Sequence, residues 1–222
     1  MIDLSPFWLT FKLAALTTLI LLIIAIPLSY WLSNSRFKGK IIFEALISLP
    51  LVLPPSVLGF YMLVAFSPMK GIGKFLSEKF DIQLLFTFEG LVICSIFYSL
   101  PFMVNPILAG FKNLPHSLKE AAYTLGASKT KTLFRILLPN IKASVLTGLV
   151  MTFTHTIGEF GVVLMVGGSI PNETKVVSIA IYDEVQAMNY DNANLYAGIL
   201  FIFTFIVLLI TFAINKKTDL IK

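Results

Sequence analysis

Five apolar runs, each about as long as a membrane-crossing helix, constrain what this chain can fold into. A helix needs about 20 apolar residues to cross a bilayer. The runs cover residues 13–31, 45–66, 90–111, 143–166 and 195–214. We therefore expect an all-α fold, a polytopic membrane helical bundle of about five transmembrane helices. The length predicts a single domain over residues 1–222.

The composition agrees with a multi-pass protein of the cell membrane. The chain is 57% hydrophobic and 13% charged, whereas soluble domains are about 45–50% apolar and about 25% charged. The net charge is +5, and the basic residues lie between the apolar runs. This placement favours membrane lipid over nucleic acid as the partner. The single cysteine, Cys94, excludes an internal disulfide. The first run follows Asp3 and no cationic segment, so we interpret it as a retained span rather than a signal peptide.

The distribution of Lys and Arg predicts the orientation, because cytoplasmic loops are enriched in both. One side of the predicted spans carries only five basic residues: Lys12, Lys70, Lys74, Lys79 and Lys175. The remaining basic residues fall on the other side: Arg36, Lys38, Lys40, Lys112, Lys119, Lys129, Lys131, Arg135, Lys142, Lys216, Lys217 and Lys222. We expect the N-terminus outside and the C-terminus inside.

The longest polar interval, Asn113 to Pro139, reads as two short helices. Pro115 suits a first helical turn, Gly126 can take the left-handed conformation that ends a helix, and Ser128 is a suitable N-cap for the second helix. Pro139 is expected to stop that helix. Each helix has an apolar face: Leu118, Ala121, Ala122 and Leu125 on the first, and Leu133, Ile136 and Leu137 on the second.

This interval carries a spaced motif. Its residues are Glu120, Ala121, Ala122, Gly126, Ile136, Leu138 and Pro139. The motif resembles the EAA loop of ABC importer permeases. The resemblance implies a cytoplasmic coupling loop, about residues 112–140, that contacts an ATP-binding subunit. From spacing alone, a surface helix–turn–helix with a solvated basic face is the alternative.

Prolines in the second and third runs predict backbone groups that lipid cannot satisfy, so these segments should face protein or a water-filled cavity. Simple kinking for helix packing is the alternative. The pathway or gate candidates are Pro54, Pro55, Ser56, Gly59, Ser99, Pro101, Asn105 and, in the fourth run, Thr152.

His155 and Glu159 stand one helical turn apart in the fourth run. A metal pair lacks further ligands nearby, and a proton relay is conceivable. We favour two polar groups that satisfy each other inside the bundle. The sequences around them, residues 155–161, 167–174 and 180–190, resemble the molybdate and sulfate branch of ABC importer permeases, and the molybdate permeases most closely.

The segment from Gly167 to Asn194 carries three excess negative charges. Within it, residues 176–188 are expected to form a short interfacial helix. The segment is predicted to be either a solvated loop or a dock for an external binding protein.

The resemblance implies a permease subunit of an ATP-driven importer for molybdate or tungstate, with no catalytic, cofactor-binding or metal site of its own. The chain contains no G-x-x-x-x-G-K-[ST] motif, so ATP must be bound by another chain. The implied partners are two ATP-binding subunits, an external or periplasmic oxyanion-binding protein and a second copy of the permease. The alternatives are a sulfate or thiosulfate permease, an ion-coupled secondary carrier and a membrane enzyme.

Overall fold

The structure, a computed structural model, describes the backbone of residues 3–219 and the side chains up to residue 213. This part of the chain is helical and contains no strand. The helices are α1 Ser5–Asn34, α2 Lys40–Ser48, α3 Pro55–Phe66, α4 Gly71–Phe80, α5 Phe88–Lys112, α6 His116–Thr124, α7 Lys129–Thr132, α8 Leu138–Asn140, α9 Lys142–Ile157, α10 Gly161–Gly167, α11 Val177–Gln186 and α12 Tyr190–Asp219. A π-type turn, Leu133–Leu137, joins α7 to α8.

Four helical stretches are long and apolar enough to cross a membrane, or five if one bent pair forms a single span. The four are Ser5–Asn34, Pro55–Phe80, Phe88–Lys112 and Tyr190–Ala213. The bent pair joins Lys129–Asn140 to Lys142–Ile157 at 77°. The expected all-α bundle of about five spans is confirmed.

The centre of the bundle is the packing of α1 along α5 and of α5 along α9. Leu21, Ala25 and Leu32 of α1 are buried against Val104 and Ile107 of α5. Ser29 donates its hydroxyl to the Val104 carbonyl oxygen at 3.2 Å. Pro106 lies two residues after Val104, yet α5 continues through Pro106 and through Pro101 without a break. The helices α1 and α5 are therefore continuous at the centre of the bundle.

The second and fourth predicted spans are not continuous helices, and this part of the prediction is wrong. The second is interrupted between Leu51 and Pro55, where Pro54 has extended backbone angles, φ −55° and ψ 137°. The ring of a proline disfavours helical angles in the residue before it, so Pro55 forces this break and then begins α3. The fourth is interrupted between α9 and α10, where Phe160 has φ −130° and ψ −59°.

The helices that follow the two breaks, α3 and α10, pack against each other. Gly59 of α3 is buried at their contact. A Cβ atom there would lie 2.9 Å from Met165 Sδ and 3.2 Å from Val162 Cα. The helices approach this closely because Gly59 has no side chain.

The segment after α10 contains the predicted short helix, which the structure has as α11, Val177–Gln186. Asp183 anchors the helix. It accepts from Ser169 Oγ at 2.6 Å and pairs with Lys175 Nζ at 2.8 Å. Val177 N donates to Thr10 Oγ1 at 2.9 Å, which ties α11 to the start of α1.

Candidate functional site

The two helix breaks lie side by side and line one pocket. This break pocket has a volume of about 550 Å³ and opens to the surface of the chain. Its lining residues are Pro55, Ser56, Tyr98, Thr154, His155, Gly158, Glu159, Phe160 and Gly161. The structure thus brings together the residues predicted separately at the proline break and in the fourth span.

His155 and Glu159 do not bond to each other, contrary to the prediction of a mutually satisfied pair. Glu159 Oε2 accepts from Ser95 Oγ at 2.9 Å. His155 Nδ1 lies 3.0 Å from Ser99 Oγ, which also contacts the Thr156 hydroxyl at 3.0 Å. The physical reason is that α9 ends at Ile157, so the regular one-turn spacing between the two residues does not extend to Glu159. Each side chain turns to a serine of α5 instead.

Glu159 is the buried polar group at the centre of this arrangement. Its side chain is 4% exposed, and its Oε1 atom has no hydrogen-bond partner among the described residues. Ser178 Oγ of α11 donates to the Glu159 backbone oxygen at 2.6 Å. The residue therefore joins α5 and α11 at the break, while one carboxylate oxygen stays unbonded next to the pocket.

The His155 ring is held between aromatic side chains of α5. Its centroid lies 3.8 Å from that of Phe102, with the rings stacked, and 4.7 Å from that of Tyr98. With Nδ1 directed to Ser99, the other ring nitrogen is the one left for the pocket. The ring is thus oriented by both packing and a hydrogen bond.

Among the described residues that line the break pocket, Glu159 is the one that carries a carboxyl group. No described Lys or Arg lines the pocket. Ser56 is exposed at the start of α3, so its hydroxyl is available to a solute. The Thr154 hydroxyl instead donates to the Val150 carbonyl oxygen at 2.8 Å. Such a lining can offer single hydrogen bonds to an anion but no ion pair.

The other predicted pathway residues lie outside this pocket. Ser99 and Thr152 are buried, and the Thr152 hydroxyl has no partner among the described residues. Pro101 is buried within α5. Asn105 donates to Ser48 Oγ at 3.4 Å and so links α5 to α2. Pro54 is exposed at the break, whereas Gly59 is buried against α10.

The sequence did not indicate the hydrogen-bond partners of Glu159. Ser95 and Ser178, which bond Glu159, are separated from it by 64 and 19 residues. Tyr98 carried no signal beyond its aromatic character. No group of three or more His, Cys, Asp or Glu side chains is placed to hold a metal ion in the part of the chain that the structure describes.

The polar loop, residues 112–140, is the second candidate site. Gly126 has φ +76°, and its left-handed conformation ends the first short helix as predicted. Ser128 accepts from Lys131 N at 3.2 Å, which confirms the predicted N-cap. Leu125 is 87% exposed, and Glu120 and Ala121 are exposed as well. This first half of the motif therefore presents an accessible surface, although Ala122 is buried.

The second half of the motif faces the bundle. Ile136 and Leu138 pack against the buried cluster that contains Leu137 and Ile141. The second short helix ends at Asn140, one residue after Pro139, and a 77° bend separates it from α9. The predicted stop before the fourth apolar run is confirmed to within one residue.

Apolar helices of membrane-spanning length, a pocket at two helix breaks and an exposed polar loop define this chain as a multi-pass membrane protein. Residues 25–217 match the family model described as "Binding-protein-dependent transport system inner membrane component". The chain belongs to this family, whose members are ABC importer permeases. In such transporters ATP hydrolysis belongs to separate ATPase subunits.

Two curated relatives and one solved structure are similar over most of the chain. The molybdenum transport system permease protein ModB of Azotobacter vinelandii is 44% identical over 207 residues, which are 93% of this chain and 91% of that protein. A probable sulfate transport system permease protein cysT of Marchantia polymorpha is 34% identical over 96% of this chain and 73% of its own. A crystal structure of a bacterial ABC transporter involved in alginate import matches with a TM-score of 0.78 at 20% identity, over 96% of this chain and 79% of that one.

Proposed function

We propose that this chain is the membrane-spanning permease subunit of an ATP-driven importer for molybdate or tungstate. The observation that carries this proposal is the 44% identity to a molybdenum permease along nearly the full length of both chains. The lining of the break pocket, in which no described Lys or Arg takes part, supports it, because a solute that must leave the pathway should be held weakly.

Sulfate is the second candidate substrate, since a sulfate permease is 34% identical to this chain. The test is uptake by a strain that lacks its own molybdate transport and expresses this chain with its ATPase and binding protein. We expect excess tungstate to block the uptake of radiolabelled molybdate and excess sulfate to leave that uptake unchanged. If excess sulfate blocked the uptake and excess tungstate did not, the chain would be reassigned to sulfate transport.

We propose that the polar loop couples the permease to its ATPase at the cytoplasmic face, with the N-terminus outside. Glu120, Ala121 and Gly126 contribute the accessible contact surface. Ile136 and Leu138 transmit its movement, because they pack against the bundle. Pro139, which is exposed, ends the same half of the motif. Ala122 supports the first helix from inside.

The complete transporter would contain two copies of this chain, two ATP-binding subunits and an external oxyanion-binding protein. Five spans with one loop form half of such an assembly. ATP binding would draw the ATPases together, move both loops and shift the bundle between outward- and inward-open states. We place the pathway at the break pocket, where Pro55, Ser56, His155 and Glu159 meet an open cavity.

A further inference from the structure

A basic hollow and an apolar groove adjoin at the end of the bundle that carries the polar loop. The basic hollow has a volume of about 340 Å³ and lies where α1 and α5 end and α2 and α6 begin. Its lining residues include Lys40, Lys112, Lys119, Asn34 and His116. The apolar groove, of about 530 Å³, runs between the second half of α1 and the second half of the polar loop. Tyr30 lines both.

The charge of the basic hollow is not balanced. Lys112 Nζ lies 3.0 Å from Glu44 Oε1, and Lys40 Nζ lies 3.7 Å from the same atom. Lys119 forms no ion pair in the described chain: it donates to Asn34 Oδ1 and lies 5.8 Å from the Tyr30 ring centroid. No described Asp or Glu lines either hollow. With Lys129, which lines the apolar groove, four lysines face one carboxylate.

The apolar groove is open along its length. Its wall is built from Leu22, Ile23, Ile26, Pro27, Leu133 and Phe134. Ile23 is 73% exposed and Phe134 is 58% exposed, so the groove faces outward from the bundle rather than into its core. At its loop end the lining changes to Lys129 and Thr130.

We propose that these two hollows together bind one anionic phospholipid. The apolar groove takes an acyl chain, and the phosphate lies among Lys119, Lys129 and the basic hollow. Uncompensated positive charge beside a membrane-facing apolar surface is the complement of such a lipid, and basic pockets between membrane helices recognise anionic headgroups. The lipid would bridge α1 to α7 and thereby stabilise the polar loop against the bundle.

The test measures lipid retention by native mass spectrometry on the transporter, purified with its ATPase and incubated with equal amounts of phosphatidylglycerol and phosphatidylcholine. The parent protein should retain phosphatidylglycerol selectively. Each lysine near an anionic surface contributes about fivefold in affinity, so the double variant Lys119→Gln, Lys129→Gln should lose about 30-fold. The matched double variant Lys74→Gln, Lys79→Gln removes the same charge from α4, outside both hollows, and should retain the lipid as the parent does.

A second variant tests the acyl chain without a change of charge. Ile23→Trp fills the apolar groove at an exposed position and should also lower phosphatidylglycerol retention. This arm still decides the question if the double lysine variant fails to fold, as judged by its melting temperature.

Four results would overturn the proposal: equal retention of both lipids by the parent, undiminished retention in the double variant or in Ile23→Trp, displacement of the lipid by millimolar inorganic phosphate, or retention only in permease freed of its ATPase. Displacement by inorganic phosphate would mean that the site takes a free phosphate. Retention only without the ATPase would mean that this surface belongs to the subunit interface.

Discussion

Gly126 is the residue of the polar loop whose identity the backbone itself requires. Its φ of +76° lies in the left-handed region, which a β-branched residue resists. No heavy atom would contact a Cβ placed there, so any effect of substitution comes from conformation and not from crowding.

Gly126→Val should therefore uncouple ATP hydrolysis from transport while leaving the protein inserted in the membrane. The left-handed conformation costs an ordinary residue about 1–2 kcal/mol, enough to shift the turn between α6 and α7. Transport and ATPase activity measured in the same proteoliposomes check this. Gly126→Asn is the control, since asparagine tolerates this conformation, and it should transport nearly normally. Normal coupling in the valine variant would remove the turn from the mechanism.

Ser95 is predicted to be the residue that makes the buried Glu159 tolerable. Ser95→Ala leaves both Glu159 carboxylate oxygens without a partner, since Oε1 already has none. An unsatisfied buried polar group costs about 1–3 kcal/mol, so the melting temperature in detergent should fall by several degrees. Ser56→Ala, at an exposed serine of the same pocket, should change it little. Equal melting of the two variants would show that Ser95 does not stabilise the carboxylate.

At the scale of elements, a substitution at the close contact between α3 and α10 tests the fold. Gly59→Val would place its Cβ 3.2 Å from Val162 Cα, and backbone cannot move aside as a flexible side chain can. We expect a loss of about 1–3 kcal/mol, typical of overpacked cores, seen as a lower melting temperature. Gly198→Val is the matched control, because a Cβ at Gly198 of α12 meets no atom within 4 Å. A similar loss in both variants would attribute the effect to helix propensity alone.

The lengths of the apolar runs predicted the continuous helices but not the interruptions in the other two spans. The runs 13–31, 90–111 and 195–214 lie inside α1, α5 and α12. Run length does not distinguish a continuous span from two half-spans, since both are equally apolar. The dipeptide Pro54-Pro55 was a local signal for one break. In the other break the backbone angles at Phe160 depend on packing, which sequence spacing does not encode.

Four of the predicted residues, Pro55, Ser56, His155 and Glu159, line the break pocket, but their hydrogen bonds were not predictable. Periodicity paired His155 with Glu159, whereas each bonds a serine of α5. These serines are separated by 56 and 64 residues from their partners, and the packing of α9 and α10 against α5 brings them close. In the polar loop the turn and cap were predictable, because Gly126 and Ser128 act through backbone geometry within three residues.

At the scale of the whole molecule, the predicted orientation can be tested directly. Single cysteines at Ser5 and Lys129, introduced in a Cys94→Ala background, should label from opposite sides of the membrane. Ser5 begins α1 and Lys129 begins α7, and Lys129 is exposed. An impermeant maleimide applied to cells and to inverted vesicles measures this. Labelling of both sites from one side would overturn the orientation.

The isolated permease is predicted to bind molybdate poorly, with the external binding protein setting affinity and choice of ion. No described Lys or Arg lines the break pocket, and the Glu159 carboxylate adjoins it; tight dianion sites ordinarily use basic side chains or several backbone donors. Calorimetry on the purified permease checks this. Submicromolar binding, worth more than about 8 kcal/mol, would contradict it.

The two interrupted spans also have a mechanical consequence. Because both breaks lie at one pocket while α1 and α5 are unbroken, we infer that the bundle can bend as two tiers joined by these two helices, which act as its spine. One tier carries the polar loop with α2 and α9, and the other holds α3 and α10. Bending at the two breaks would let the tiers tilt against each other while the spine stays straight. The pocket then lies at the pivot, where a small rotation opens or closes it most directly.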